Sequence, residues 1–185
     1  MIRKARPEDA VVVADIIFLA MEDILYQFIG KRDREIALSF LTDLLKQQGN
    51  QYSYENCWVA EQDGRVAGAV LVYDGAQLAA LRMPVARMVR ERFDRDFNPE
   101  DETGEGEWYI DSLGVIPEMQ GRGIGSSLLA FLMDEYTLKQ QITLGLLVDR
   151  KNPAAKKLYL KLGFKTAGEK TLVGKQLEHL QYQPA

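Results

Sequence analysis

Gln120-Gly121-Arg122-Gly123-Ile124-Gly125 puts three glycines at alternate positions between a strand-like run ending at Val115 and an amphipathic helix beginning at Gly123. This arrangement suits anion binding. The first N–H groups of a helix lack partners within it, and the macrodipole adds partial positive charge, so a phosphate can be held by main-chain donors alone. Glycine, without a Cβ, lets the chain turn tightly and approach a bulky diphosphate. Two familiar phosphate loops do not match. A P-loop needs a Lys-Ser/Thr pair after its last glycine, and none follows Gly125. A dinucleotide fingerprint reads G-x-G-x-x-G with an acid about twenty positions on, whereas the spacing here is G-x-G-x-G. Asp149 could imitate that acid, but too little chain follows Gly125 to complete a second mononucleotide-binding half. A nicotinamide-dependent enzyme is therefore the least favoured reading, and preference for NAD would revive it.

A second signature lies downstream, from Leu146 to Phe164. It reads as a strand, a turn and a short helix: Asn152 suits the N-cap, Pro153 the first helical position and Gly163 the left-handed position after the last turn. Together with Tyr109 to Gly125, this stretch resembles the GCN5-related N-acetyltransferase (GNAT) superfamily, whose Q/R-x-x-G-x-G/A loop is matched by Gln120, Gly123 and Gly125. The resemblance is specific from about Glu107 to Phe164 and general elsewhere. It implies acetyl-CoA as co-substrate, with the backbone of Leu113, Gly114 and Val115 facing the pantetheine arm. Gln120, Gly121, Arg122, Gly123, Ile124, Gly125 and Ser126 would hold the diphosphate. Asn152 would contact the coenzyme arm, and Tyr159 would protonate the departing thiolate. Without the resemblance, Asn152 reads equally as an N-cap and Tyr159 as a packing residue beside Leu158 and Leu162.

Direct attack by an amine requires a neutral nitrogen, a polarised carbonyl and a protonated leaving sulfur. A backbone N–H near Val115 is the expected oxyanion donor, and Tyr159 the general acid. Some family members use a glutamate as base in the strand before the last helix, but the comparable position here is Leu147, which accepts no proton. The base must then come from the preceding strand, with Asp111 the first candidate and Glu107 the second, acting through water. Asp111 also reads as a solvated strand residue. A non-catalytic acyl-CoA-binding module is the alternative that Leu147 favours.

The length, 185 residues, fits one domain with a sizeable core. A net charge of -4 and sequence pI near 5.2 argue against a nucleic-acid partner. Cys57 is the sole cysteine and His179 the sole histidine, so neither an intramolecular disulfide nor a Cys or multi-His metal site can form. Cys57 reads as a buried thiol and His179 as a structural strand residue. No apolar run reaches membrane-spanning length, and no signal-peptide pattern opens the chain, which makes a cytoplasmic enzyme the default expectation. The acceptor is expected to be a small-molecule or peptide amine, and the resemblance allows a homodimer.

The elements that must position these groups follow from periodicity. A short strand at 1–6 leads into an apolar helix over 10–29, started by Pro7, Glu8 and Asp9. Asp33 should cap a second helix bearing Ile36, Phe40, Leu41, Leu44 and Leu45. Gly49 to Glu55 reads as a polar break. Cys57 to Glu61 and Arg65 to Tyr73 form a hairpin around Asp63-Gly64, a pair that tolerates positive φ. Residues 74–106 form an insert, with Pro84 expected to open a helix carrying Val85, Met88, Val89 and Phe93. Its acidic end, Glu100 to Glu107, reads as a solvated loop or as an attractor of cationic substrate. The central strand from 107 to 115 should present Glu107, Tyr109, Asp111, Leu113 and Val115 on one face by period two. Ile124, Leu128, Phe131 and Leu132 should be the buried stripe of the following helix. After the helix ending at Gly163, strands near 165–170 and 177–182 finish the sheet. The expected fold is α/β: one GNAT-like domain over 1–185, a mixed β-sheet flanked by helices, with a core motif at 107–164 and a helical, acidic insert at 74–106.

Overall fold

A computed structural model describes residues 1–184. Seven strands form one mixed sheet in the order β1-β2-β3-β4-β5-β7-β6: β1 Ile2–Lys4, β2 Cys57–Gln62, β3 Arg65–Asp74, β4 Trp108–Val115, β5 Leu144–Asp149, β6 Lys165–Leu172 and β7 Lys175–Tyr182. Five helices flank it: α1 Ala10–Ile29, α2 Arg34–Lys46, α3 Leu78–Phe93, α4 Ile124–Leu132 and α5 Pro153–Lys161. The expected α/β class, the hairpin and both helix starts are present. Asp63 and Gly64 turn the β2–β3 hairpin with φ of 51° and 74°, and the Asp33 carboxylate accepts from Ile36 N at 3.1 Å. No helix among the described residues is long and apolar enough to cross a membrane.

The pairing of β4 creates the site. On one edge β4 runs antiparallel to β3 over its full length. On the other it pairs in parallel with β5 only from Trp108–Leu144 to Ile110–Leu146, while β5 continues against β7 to Asp149. Beyond Ile110 the two central strands therefore part. Since Ile116 N donates back to Ala67 O of the β3 side at 2.9 Å, strand alternation turns the N–H groups of Val115 and Leu113 to the opened edge.

Two apolar layers cover the sheet. One face carries α1, α2 and α3 through Ile16, Ile17, Leu25, Phe40, Leu44 and Val89; the other carries α4 and α5 through Val70, Val72, Ile110, Leu128, Leu132 and Phe164. Of the expected α4 stripe, Leu128 and Leu132 are fully buried and Ile124 and Phe131 half-buried against them; Leu129, outside that stripe, is fully buried as well. Cys57 is fully buried beneath α1, and burial pushes its thiol up to about 12, so it is a packing residue at neutral pH.

Three sequence expectations need correction. First, α1 is broken at Met21, whose φ and ψ of -134° and 27° are not helical. The segment has no glycine or proline, so tertiary contact causes the break: the first half presses Ile16 onto Gly114, while the second half packs Phe28 against Phe97 and Tyr52. Second, Pro84 does not open its helix but lies inside α3. Its missing N–H and ring disfavour that position by about 3 kcal/mol, offset by burial of Leu78, Val85 and Val89 on both sides of it. In the turn before Pro84, Leu81 O accepts Gln51 N at 3.0 Å. Third, period two fails in β4. The register slips where Leu71 pairs with Ser112 and Val72 with Ile110, leaving Asp111 as a bulge. Tyr109, Asp111, Ser112 and Gly114 thus face the α1 and α3 side, whereas Trp108, Ile110 and Leu113 face α4.

Glu107 and Gly145 lock the start of β4 to β5. The Glu107 carboxylate lies where a side chain on Gly145 would be, held by Thr103 Oγ1 at 2.8 Å, His179 Nε2 at 2.8 Å and Gln181 Nε2 at 2.7 Å. Gly145→Ala forces a fixed, buried carboxylate to move and is expected to destabilise the protein by about 2 kcal/mol. Its melting midpoint should fall by about 4 to 8 °C; an unchanged midpoint would show that Glu107 relaxes freely.

Candidate active site

A cavity of about 1150 Å³ fills the gap between β4 and β5 and continues under α1. At one end the chain leaves β4, makes a short turn at Pro117–Met119 and reaches the glycine loop. Gly121 and Gly123 have φ of 74° and 80°, and open space surrounds the positions their side chains would take. Glycine is therefore required there by backbone conformation rather than by protein packing. The first bond of α4 is Ser127 N to Gly123 O, 2.9 Å, which leaves the N–H groups of Ile124, Gly125 and Ser126 without intrahelical acceptors. Gln120 does not point outward as a ligand arm: its Nε2 donates to Val115 O at 3.1 Å and fixes the loop on the end of β4.

Asn152 and Tyr159 enter the same cavity from α5. Asn152 caps the helix by accepting Ala155 N on Oδ1 at 3.1 Å, which leaves its amide nitrogen available. Tyr159 packs its ring near Phe164, 6.0 Å between centroids. Burial raises its phenol above the ordinary value, so the hydroxyl keeps its proton at neutral pH. Leu113, Gly114, Val115, Gln120, Gly121, Gly123, Ile124, Gly125 and Ser126 all line the cavity. Arg122 and Glu107 do not. Glu107 is turned into the clasp with His179 and Gln181; burial pushes its carboxyl up, but those hydrogen bonds and that from Thr103 outweigh it and leave it below the ordinary value.

At the inner end lies a polar network. Asp111 accepts Gln51 Nε2 at 3.0 Å, Tyr73 Oη at 3.0 Å and Ser112 Oγ at 2.9 Å. Gln51 Nε2 also donates to Glu102, the single Tyr73 Oη proton is shared between Asp111 and Glu102, and Glu102 forms an ion pair with Arg82. Burial and the neighbouring Glu102 charge push the Asp111 carboxyl up to about 6, against the pull of its three donors. It is not a solvated strand residue. Burial and these same carboxylates also raise the phenols of Tyr52, Tyr73 and Tyr109.

Gln51, Tyr52, Tyr73, Glu102 and Ser112 were not legible as site residues in the sequence. The stretch read as a polar break contains buried Asn50, Gln51 and Ser53. Asn50 replaces missing backbone partners, donating to Leu44 O at 2.9 Å and accepting Tyr52 N at 2.9 Å. Its one advance signal is composition, because 49–54 has turn and polar residues but no charge. The acidic segment is solvated only in part: Glu100, Asp101 and Glu105 are exposed, but Glu102 and Glu107 are each 6% exposed. Phe97, Pro99 and Glu102 form a wall of the cavity, so the insert contributes to the site. Leu172 and Val173 of the β6–β7 turn line it opposite, docked by Val173 N to Glu100 Oε2, 3.1 Å, and Lys170 Nζ to Glu102 O, 3.2 Å.

Parted central strands, a glycine loop at a helix N-terminus, and a phenol and a carboxylate on one cavity make this an acyl-coenzyme-binding α/β fold. The chain belongs to the acetyltransferase (GNAT) family, whose profile matches residues 29–164. Among solved structures, an N-acetyltransferase from Staphylococcus aureus Mu50 superposes with a TM-score of 0.85 at 24% identity, covering 98% of this chain and 100% of that one. Another acetyltransferase gives a TM-score of 0.84 at 29% identity over 100% of both chains. A Salmonella typhimurium protein solved with its cofactor acetyl-CoA shares the fold at a TM-score of 0.57 and 18% identity, over 100% of this chain and 94% of that one. No curated protein matches the sequence.

The family uses acetyl-CoA as co-substrate, and the residues present suit it. Three unsatisfied N–H groups at the start of α4 match a diphosphate, and the free β4 edge offers Leu113 and Val115 main-chain groups to an amide-bearing arm. The glycines leave space where side chains would block approach.

Proposed function

We propose that the protein is an N-acetyltransferase acting in the cytoplasm, moving an acetyl group from acetyl-CoA to a primary amine by direct attack in a ternary complex. The observation carrying this reading is that Asp111 and Tyr159 line the same cavity as the coenzyme cradle. Asp111, a stronger base than an ordinary carboxylate, takes a proton from the ammonium directly or through water. The neutral nitrogen attacks the thioester carbonyl; the C–N bond forms and the C–S bond breaks. Val115 N–H, on the opened edge of β4, donates to the oxygen that gains negative charge. Tyr159 protonates the sulfur and is reprotonated by the second proton leaving nitrogen, so one proton per turnover passes to solvent. Leu147 lies on the cavity wall beside Tyr73 and Tyr109 and contributes apolar surface only.

Thermal unfolding with acetyl-CoA, coenzyme A and NAD, followed by turnover on an amine panel, tests this. Ligand at about one hundred times Kd adds roughly 2.7 kcal/mol, a rise of about 5 to 10 °C for a domain of this size. A rise with acetyl-CoA and release of thiol with an amine support the transferase. A rise without turnover of any amine favours a non-catalytic acyl-CoA-binding module, the reading to which Leu147 lends weight. A rise with NAD alone overturns both.

A further inference from the structure

Asp111 is half-buried at the inner end of the cavity, yet its three side-chain partners are neutral: Gln51, Tyr73 and Ser112. Among the described residues no cationic side chain makes an ion pair with it. Arg82, the cation of this network, is engaged by Glu102 and by Asp101 at 2.7 Å. Burying a carboxylate without a counter-charge is costly, so the inner end lacks one positive charge. It also lacks one donor. Gln51 is 2% exposed, and its Oε1 is buried with no partner. The amide cannot be flipped to cure this, since flipping would aim the oxygen at two carboxylates.

The walls beside this network are largely apolar, with Asp23 and Gln27 of α1 as polar exceptions. Tyr52, adjacent to Gln51, lies 6.4 Å from Phe28, which stacks edge-on against Phe97 at 4.5 Å; Leu19 and Ile24 of α1 complete this side. The cations on the cavity are Lys151, beside Asn152 on the coenzyme side, and Lys175, which pairs with Asp23 at 3.7 Å. Neither belongs to the network of Asp111.

We infer that the acceptor is a primary monoamine on an apolar or aromatic body, its ammonium taken by Asp111 and Gln51 Oε1 and its body by Tyr52, Phe28, Phe97 and Leu19. An ammonium supplies both what Asp111 lacks, a charge, and what Gln51 Oε1 lacks, a donor. A free amino acid fits poorly, because its carboxylate would enter beside Asp111 and Glu102. A polyamine fits poorly because its further ammonium groups would be desolvated on aromatic walls. Glu102, carried by the insert and fixed by Arg82, is a positioning residue: through Gln51 and Tyr73 it orients the acceptors around the ammonium.

This deepens the transferase reading and rests on it, and the test separates the two. Phenethylamine, phenylalanine, spermidine and Nα-acetyl-lysine amide are compared as acceptors, and phenethylamine is titrated calorimetrically into the protein saturated with coenzyme A. Phenethylamine should exceed phenylalanine in kcat/KM by about 100-fold or more, since the two differ by a carboxylate facing like charges. It should exceed spermidine and the lysine amide by about tenfold or more. Glu102→Gln, checked for an intact melt, should raise the phenethylamine KM by about tenfold with the acetyl-CoA KM little changed, and should move the acid limb of activity to lower pH, because the charge that raises the Asp111 carboxyl is gone. Preference for phenylalanine, spermidine or the lysine amide overturns the inference and leaves N-acetyl transfer standing. Stoichiometric binding of phenethylamine, weakened by Glu102→Gln, with no turnover of any amine supports the subsite while the transferase reading falls. No phenethylamine heat and no turnover of it overturn the inference.

Discussion

Tyr159→Phe is expected to lower kcat by about 100-fold, the lower end of what a positioned proton donor contributes, because a thiolate is already a tolerable leaving group. The substitution removes one oxygen and no packing. The ring stays against Phe164 and the phosphate loop is untouched, so the KM for acetyl-CoA should change little and the melting midpoint should hold. A residue that only packed would give the same stability with unchanged kcat. The pH profile distinguishes the roles further: burial holds the Tyr159 phenol above its ordinary value, so the alkaline fall in wild-type activity should lie above that of a free phenol and disappear in the variant. Unchanged kcat across the pH range removes Tyr159 from the mechanism and transfers sulfur protonation to solvent.

The two ends of the cavity differ in how far the sequence discloses them. The coenzyme end is built from contiguous backbone. Gln120 to Ser126 and Asn152 to Gly163 are short stretches in which glycine φ, a proline at the first helical position and an Asx cap each leave a local mark. The acceptor end is built from single residues far apart in the chain, Gln51, Tyr73, Glu102 and Asp111, that meet only after the sheet forms. None of the four carries a motif. A one-residue bulge at Asp111 reverses the face of every residue after it, which period-two counting cannot anticipate. Pro84 misleads for a related reason. Proline marks helix starts by local preference, but buried contacts of Leu78 and Val85 on both sides hold α3 through it. The turn before Pro84 then serves the site, because Leu81 O anchors Gln51. Irregularities of the backbone at Met21, Pro84 and Asp111 thus converge on the acceptor end, where local preference is overridden by what the cavity requires.

Asp111→Asn should separate stability from activity in opposite directions. Raising the carboxyl from 3.8 to about 6 means that the fold disfavours the ionised form by about 3 kcal/mol. The sign follows from proton binding: between these two values the folded protein holds the proton more tightly than the unfolded chain, so stability is greatest below 3.8, falls as pH rises through about 6, and is level above. Asparagine is a neutral isostere of the protonated acid. It can still accept from Gln51, Tyr73 or Ser112, and it adds an N–H for an unsatisfied oxygen such as Gln51 Oε1. At pH 8 the variant should therefore be more stable than the wild type by about 2 kcal/mol, with a melting midpoint about 4 to 8 °C higher, and the difference should vanish near pH 4. Activity should move the other way. Loss of a base of this kind lowers kcat/KM by about 100-fold or more, and the acid limb that the wild type shows near pH 6 should be absent. Equal midpoints at pH 8 would mean that Asp111 is ionised without penalty in the free protein, while a raised midpoint with unaltered kcat/KM would make it a buried acid unconnected with transfer. The combination of a more stable and less active protein is what a charge held ready for an ammonium entails, because the destabilisation in the free state is the attraction felt by the acceptor.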